Sequence, residues 1–367
     1  MAPDTLLAIA QSGVLAPSAD NHHVFRIELA DGAIRLWPTA DFVACADRLR
    51  RVLGLIALGA VVENMQLRAG ELGLAAAVTW SADNGAGPVA ELAFHPTAAP
   101  GDELAAAIPG RHTNRRMYRG PVPNAAEQAR LAAAVAPIDG VQLAWLQGEA
   151  RRRALRLIWL AESERFLRRR LHEDLFASIR FDLSWDEGAD RAIPPGALEV
   201  EAPMRPLFKA LRHWSLMRPL TWLGVHRLLG LRAGWLPCWQ APALGLLATT
   251  LPIEPGAVAV GAALERLWLQ ATLLGLALQP MAGSVVLPLQ APVEGGVSDA
   301  LRTKLASGWR SITPGVTPLM VFRLGHAKPP SLASGREPLE AYLTGVDRSS
   351  AMSAAGLPRS ERPVLPG

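Results

Sequence analysis

Two segments of this sequence carry side chains that could bind an anionic ligand. The decapeptide RHTNRRMYRG at 111–120 places Arg111, Thr113 and Arg115 at every second position, and Arg336 lies in GREPLE at 335–340. Guanidinium groups donate paired hydrogen bonds to phosphate oxygens, and a threonine hydroxyl adds a further donor. Two interpretations of the decapeptide stay open, the solvated start of a helix and an anion-binding site.

Two other segments offer hydrogen-bonding groups in predicted turns. The turn APSADNHH at 16–23 offers the side chains of Ser18, Asn21 and His23, and the turn PMAG at 280–283 offers main-chain N–H groups. Two interpretations of His23 stay open, contact with a ligand and packing within a hairpin. The sequence motifs include no nucleophile–base triad, metal-ligand cluster or phosphate-loop glycine pattern, so we predict no catalytic side chain and no metal.

In their order and spacing, these segments resemble the FMN-dependent nitroreductase superfamily, in particular its Acg-type branch. That family has an Arg-Arg-[Ser/Thr]-x-Arg-x-[Phe/Tyr] segment, a Pro-Ser-x-x-Asn-x-Gln-Pro-Trp-x-Phe segment and a C-terminal Arg-x-Pro-Leu-Glu. The resemblance covers about residues 12 to 343 and is weakest over 172 to 240. Two departures are His112 in place of an arginine and His23-Val24-Phe25 in place of Gln-Pro-Trp.

The resemblance implies a nitroreductase-like α+β fold, with antiparallel or mixed sheets packed by helices, and a bound FMN. Arg111, Thr113, Arg115 and Arg336 would hold the phosphate, and Ser18, Asn21 and His23 the ring edge. The turn formed by Pro280, Met281, Ala282 and Gly283 would face N5, where hydride arrives.

The resemblance favours an oxidoreductase that transfers two electrons through FMN, from NAD(P)H or another donor to a hydrophobic or aromatic acceptor. An alternative is an FMN-binding storage protein with a covered flavin and no turnover. A third is a peripheral membrane module formed by residues 214 to 253.

A repeated helix organises the rest of the chain. Residues 59–75 align without gaps on 261–277, with matched glycines and a matched glutamate in one register. We interpret this as an internal duplication. The apolar spacing predicts an amphipathic helix over 261–281, ended by Pro280. The identities are Gly59/Gly261, Ala60/Ala262, Glu63/Glu265, Leu67/Leu269, Ala69/Ala271, Leu72/Leu274, Gly73/Gly275, Leu74/Leu276 and Ala75/Ala277.

The two halves have lost complementary motifs. The first keeps Pro-Ser-x-x-Asn and lacks the arginine-rich segment, whereas the second shows the reverse. We therefore predict a single-chain pseudo-dimer with one flavin site. The expected parts are a first half over 1–110, a second half over 111–345 with a Trp-rich lid or pocket insertion at about 172–240, and a disordered tail over 346–367. Both a monomeric pseudo-dimer and a homodimer remain open.

The composition limits the classes of protein to which this chain can belong. The chain has 367 residues, half of them hydrophobic, and a formal charge of +4. No basic run is long enough to indicate a nucleic-acid partner; the cluster from Arg151 to Arg170 is typical of the solvated face of one long helix over 151–171. Two isolated cysteines argue against a disulfide framework.

The uncharged stretch 233–253 is broken by prolines and predicts a buried loop and strand. We see no signal peptide and expect a cytoplasmic protein without an integral membrane segment.

Overall fold

The first half of the chain forms a sheet backed by one long helix. The computed structural model describes residues 2–81 and 87–344. Asp31-Gly32 makes the tight turn of the first hairpin, as such pairs favour. The elements of this half are α1 (Pro3–Val14), β1 (Phe25–Ala30), β2 (Ala33–Pro38), α2 (Ala40–Val43), α3 (Arg48–Glu71), β3 (Leu74–Trp80) and β4 (Ala90–Pro96).

The second half repeats this plan and adds helices to it. Short helices fill the region expected to be irregular, and a π-helical turn joins two of them. The elements are α4 (Ala125–Val135), β5 (Val141–Trp145), α5 (Gly148–Leu167), α6 (Arg169–Ala177), α7 (Arg205–Ala210), α8 (Trp214–Trp222), α9 (Val225–Gly230), α10 (Leu236–Gln240), β6 (Ala243–Thr249), α11 (Ile253–Leu273), β7 (Ala277–Pro280), α12 (Gly283–Val286), α13 (Asp299–Ile312) and β8 (Thr317–Gly325).

The two sheets have the same topology, which confirms the duplication. In the described residues each is four-stranded, with orders β1-β2-β4-β3 and β5-β6-β8-β7 and antiparallel pairing throughout. The α+β class with antiparallel sheets packed by helices is therefore confirmed. The halves differ between their first two strands: a two-residue turn joins β1 to β2, whereas helices α5 to α10 lie between β5 and β6.

The repeated helices α3 and α11 cross at their matched glycines. A Cβ atom at Gly59 would lie 2.0 Å from the carbonyl oxygen of Val258, and one at Gly261 would lie 2.0 Å from that of Ile56. These contacts are equivalent under the alignment, so they relate the two helices by an approximate two-fold axis. Glycine is required at both positions because the two backbones touch.

Charged residues next to this crossing pair across the halves. Arg266 of α11 donates to the Glu63 carboxylate of α3 at 2.7 Å and to Asp102 at 2.6 Å. Glu265, the counterpart of Glu63, is fully buried and faces Arg111, whose Nε lies 3.1 Å from Glu265 Oε1. The matched glutamates therefore each hold an arginine at the centre of the molecule.

The expectation that the second repeat helix continues to Pro280 is wrong. The helix α11 ends at Leu273, and Gly275 then takes a positive φ of 68°. The first repeat ends in the same way, since Gly73 has φ of 72° directly before β3. Glycine in this conformation terminates a helix. Pro280 instead closes β7, opposite Phe322 of β8.

The single long helix expected over 151–171 is also divided. Arg168 adopts an extended conformation, with φ −101° and ψ 125°, and separates α5 from α6. The uncharged stretch 233–253 includes the fully buried strand β6, as expected, but residues 233–240 are helical instead of a buried loop, and Trp239 among them is exposed. The predicted tail over 346–367 lies outside the described residues.

Among the described residues, one helix is long and apolar enough to span a membrane by length and composition. This is α3, but 78% of its most apolar window is buried inside the protein. The segment after β8 returns to the first sheet, where Leu343 bridges Ile27 of β1 in parallel. The C-terminal part of the second half thus reaches the edge of the first half.

Candidate functional site

Arg336 is brought onto the turn that follows α1. Its Nη2 donates to the carbonyl oxygen of Ala16 at 2.9 Å, and its Nη1 donates to the side-chain oxygen of Asn21. The return of the C-terminal segment to β1 explains this position, because residues 335–336 must cross the turn before reaching Leu343. The structure therefore joins two motifs that lie more than 300 residues apart in sequence.

Arg336 is half-buried and forms no ion pair with a carboxylate among the described residues, although the nearby Glu265 acts to raise its pKa. Burial, followed by the nearby Arg111 cation, lowers the pKa of Arg336 to about 10. Within the described residues its hydrogen bonds go to neutral oxygens, and its Nε has no partner. The Ser18 hydroxyl in the same turn is also buried without a partner. Unpaired buried donors of this kind are costly unless a ligand completes them.

Asn21 acts as a clamp between three segments of the chain. Its side-chain amide donates to the carbonyl oxygens of Asp190 (3.3 Å), Ala192 (3.1 Å) and Gly335 (3.2 Å). Its own backbone has a positive φ of 56°, which asparagine tolerates better than most residues. In this conformation its side chain is engaged within the protein rather than directed at a ligand.

His23 is likewise engaged within the protein. Its Nε2 lies 3.2 Å from the carbonyl oxygen of Ala16, and its Nδ1 lies 3.0 Å from the hydroxyl of Tyr342. Burial lowers the pKa of His23 to about 3, so the ring is neutral. A neutral ring satisfies both bonds if Nε2–H donates and Nδ1 accepts. Of the two interpretations left open by the sequence, this geometry favours packing.

Arg111, a candidate ligand-binding residue, also contacts other parts of the protein. Its guanidinium lies on the Trp268 ring at 4.6 Å, faces Glu265, and donates to the Leu15 carbonyl oxygen at 2.7 Å. Burial raises the pKa of Glu265 to about 7, against the opposing effect of Arg111. Arg111 therefore links the α11 helix to the end of α1, one residue before the carbonyl that Arg336 binds.

Arg115 lies near Asp20 of the turn at 16–23 but donates its hydrogen bond to a different segment of the chain. Its Nη1 donates to the Ala197 carbonyl oxygen at 3.2 Å, and burial lowers the pKa of the guanidinium while the charge of Asp20 raises it. The segment between the two arginines is not helical, and the backbone N–H of Asn114 donates to Leu278 of β7. Thr113 is half-buried in this connection. Arg111 and Arg336 are thus brought together, whereas Arg115 approaches from the side of Ala197.

The predicted turn at 280–283 is only partly available for a ligand. The Met281 N–H donates to Val321 of β8 at 2.6 Å, so the expectation of a free N–H there is not met in this conformation. Ala282 and Gly283 precede and begin the short helix α12, where the first N–H groups have no intrahelical partner. These two residues are the better placed donors of the four.

The sequence analysis missed a pair on α5 that faces this turn. Glu162 is buried, and its carboxylate lies 3.0 Å from where a Cβ of Gly283 would stand. Arg165 pairs with Glu162 at 3.1 Å, and Asp20 adds to the effect of Glu162 in raising the pKa of Arg165. The arginine-rich stretch is therefore not wholly a solvated face. The available signal was the Glu162-x-x-Arg165 spacing beside the apolar Ala161 and Phe166.

A loop at 189–197 covers the turn. Besides the bonds from Asn21 and Arg115, the backbone N–H of Ala192 donates to the Asn21 carbonyl oxygen at 3.3 Å, and that of Gly335 donates to Ala189 at 2.9 Å. This cover loop belongs to the segment predicted to roof the pocket. Trp222, which belongs to the predicted Trp-rich lid, is instead 89% exposed.

The two clefts found among the described residues do not coincide with the region around Arg336. Two clefts of about 250 and 500 Å³ are lined by residues other than the predicted ligands. Within residues 2–81 and 87–344, no group of three or more His, Cys, Asp or Glu side chains could hold a metal ion.

Comparison with known proteins gives distant structural likenesses. No protein-family model and no curated protein matches this sequence. A nitroreductase-like family protein from Bacillus cereus is 12% identical, with 68% of this chain and 100% of that chain covered and a TM-score of 0.35. The FMN-dependent nitroreductase NfnB from Mycobacterium smegmatis, in complex with NADPH, is 17% identical, with 71% and 95% covered and a TM-score of 0.33. The NADPH:FMN oxidoreductase from Vibrio harveyi, complexed with NAD+, is 12% identical, with 69% and 83% covered and a TM-score of 0.35. These values do not assign the chain to a family.

Proposed function

We propose that this protein is an FMN-dependent oxidoreductase of nitroreductase type. The observation that carries the proposal is the half-buried Arg336 cation, which forms no ion pair with a carboxylate among the described residues, has a buried unpartnered Nε, and lies in the same turn region as the unpartnered Ser18 hydroxyl. An anionic group with several acceptor oxygens would complete both donors, and the phosphate of FMN is such a group. The sequence motifs shared with the nitroreductase superfamily select FMN among phosphate-bearing ligands.

Each predicted residue has a role that follows from its position. Arg336, Arg111 and Ser18 would hold the phosphate, Thr113 and Arg115 would extend the set of donors, and the N–H groups of Ala282 and Gly283 would bind the ring edge. Asn21 and His23 would keep the turn in shape. Bound FMN would supply the redox chemistry, accepting two electrons from NAD(P)H or another donor and passing them to a hydrophobic or aromatic acceptor.

Absorption spectroscopy of the purified full chain tests this proposal. We expect the spectrum of an oxidised flavin and about one FMN per chain, because the duplicated halves carry complementary parts of one site. Two FMN per chain would contradict the single composite site. A protein that stays colourless after incubation with FMN would remove the FMN assignment altogether.

A second candidate function, FMN storage without turnover, is favoured by the cover loop. Residues 189–197 are hydrogen-bonded to the turn at Asn21 and to Gly335, so this loop would cover the candidate flavin site on the side of Arg336. Hydride transfer requires the donor ring to reach van der Waals distance from the flavin. An enzyme should therefore be bleached by NADPH or NADH under anaerobic conditions and recoloured by a nitroaromatic compound or a quinone. A store should be bleached by dithionite alone.

The finer parts of the proposal remain predictions. They are the identity of the acceptor, the choice of NADPH, NADH or another donor, membership of the Acg-type branch, and a cytoplasmic location. The division into halves at residues 110 and 111, with an inserted lid at 172–240, also remains a prediction, and the position of the insertion between β5 and β6 supports it.

A further inference from the structure

A long part of the second half carries positive charge without any acid. Residues 202 to 253 contain no Asp or Glu, and they contain six basic residues. Arg232 pairs with Glu201, whereas Lys209, Arg218 and Arg227 form no salt bridge with any residue the structure describes. All three of these side chains belong to exposed residues. The helices α7 to α9 therefore present uncompensated cations to solvent.

The most exposed apolar residues of the described chain lie among these cations. Trp222 is 89% exposed and Leu223 is 79% exposed, at the end of α8. Gly224 follows with φ of 79° and starts α9, on which Leu228 is 65% exposed. We call Leu216, Trp222, Leu223 and Leu228, together with Arg218 and Arg227, the Trp222 tip. Because the apolar pair stands at a tight turn, the tip projects from the surface rather than forming a groove.

We propose that the Trp222 tip docks on an anionic lipid surface. Tryptophan and leucine insert at the interface of a bilayer, and arginines beside them are attracted to anionic headgroups. The absence of acids over 202–253 removes the repulsion that such a surface would otherwise meet. This inference concerns the outer face of α8 and α9 and does not depend on the proposed flavin chemistry.

A second copy of this chain is the less favourable occupant. Self-association about a two-fold axis would bring the same patch against itself. Arg218 and Arg227 would then face their own copies with no acid within 202–253 to separate them. Opposed like charges disfavour an interface, whereas anionic headgroups complement them.

Vesicle sedimentation of the full-length protein tests the proposal. We expect sedimentation with vesicles of phosphatidylcholine and phosphatidylglycerol, weaker binding to phosphatidylcholine alone, and weakening as salt is raised. The double variant Trp222→Ser, Leu223→Ser should lower the partition coefficient about tenfold or more, because two apolar side chains no longer insert. The double variant Arg218→Glu, Arg227→Glu should remove the preference for phosphatidylglycerol.

Trp80→Ser is the matched control, since Trp80 is an exposed tryptophan of β3 outside the tip. It should bind as the wild type does, and thermal unfolding of the tip variants should match that of the wild type because their altered side chains are exposed. Failure of the wild type to sediment with anionic vesicles would overturn the proposal. Equal losses of vesicle binding in Trp80→Ser and in the tip variant would also overturn it. A dimer in sedimentation equilibrium that dissociates in the Trp222→Ser, Leu223→Ser variant would likewise contradict it.

Discussion

We expect replacement of Arg336 to distinguish binding of the FMN phosphate from binding of the flavin ring. The bonds of Arg336 within the described protein go to neutral oxygens, and its Nε is unpartnered. We expect Arg336→Ala to weaken FMN binding by roughly 1.5–3 kcal/mol, the range for hydrogen bonds to a charged group. Riboflavin, which lacks the phosphate, should bind nearly as before. Flavin fluorescence titration measures both constants.

Arg130→Ala is a suitable control, because this arginine is exposed on α4 and pairs only loosely with Glu103 at 3.6 Å. Equal losses for FMN and riboflavin in the Arg336 variant would show that the residue supports the fold and not the phosphate.

Glu265 should make folding stability depend on pH. Burial raises the pKa of this carboxyl to about 7 from its usual value of 4.5. Between those pH values the folded state binds more protons than the unfolded state, so this group's contribution to stability falls as pH rises and is constant above about 7. The slope reaches at most about 1.4 kcal/mol per pH unit. Denaturant unfolding of wild type and Glu265→Gln at several pH values should differ by this slope.

Glu254→Gln, at the exposed start of α11, is expected to keep the wild-type pH dependence. A Glu265→Gln protein with an unchanged slope would mean that this carboxyl titrates alike in both states.

At the level of single residues, the sequence identified candidate ligand-binding side chains but not the residues that they contact in the fold. The motif at 335–340 selected Arg336, but only the folded chain shows that Asn21 binds this arginine instead of a ring edge. Glu162 and Arg165 escaped notice, because a helix with many arginines looks solvated until its buried side is known. Partners separated by more than 300 residues cannot be deduced from spacing within one segment.

At the level of elements, the crossing of α3 and α11 depends on two glycines. We expect Gly59→Ala and Gly261→Ala each to destabilise the protein by roughly 1–3 kcal/mol, because a methyl group would meet backbone oxygen at 2.0 Å on the other helix. Thermal and denaturant unfolding measure this loss. Gly70→Ala on α3 is the control, since its Cβ would have a nearest contact of 3.8 Å. Alanine there should be neutral or stabilising, and similar losses at all three positions would argue against close helix contact.

The repeat predicts which helices correspond, but not where they end. Gly73 and Gly275 are among the matched residues, yet the apolar periodicity places the end of the second helix at Pro280. Proline is the stronger helix breaker by propensity, whereas the left-handed glycine five residues earlier has already ended the helix. The hairpin at Asp31-Gly32 is easier to predict because its turn is local. The break of the expected 151–171 helix at Arg168 has no such local mark in the sequence.

For the whole molecule, we expect the cover loop to control access to the candidate site. A Cβ at Gly196 would lie 2.1 Å from the Trp185 carbonyl oxygen, so Gly196→Ala should displace residues 189–197 from the turn. If FMN is bound beneath, NADPH should then reduce it faster than in the wild type, as followed by stopped-flow absorbance. Gly188→Ala is the control, because a Cβ atom there would meet no described atom within 4 Å. Identical rates in all three proteins would show that the loop does not limit access.

The insertion between β5 and β6 occurs once in each chain, since β1 and β2 are joined by only two residues. A dimer of identical half-length subunits would carry every insertion twice, on opposite sides of its axis. The fused chain carries a single Trp222 tip, so each chain would attach to a lipid surface through one contact and would gain no avidity from a second tip of its own. Attachment through one weak contact exchanges quickly, and a linked second copy of the chain should convert it into persistent binding.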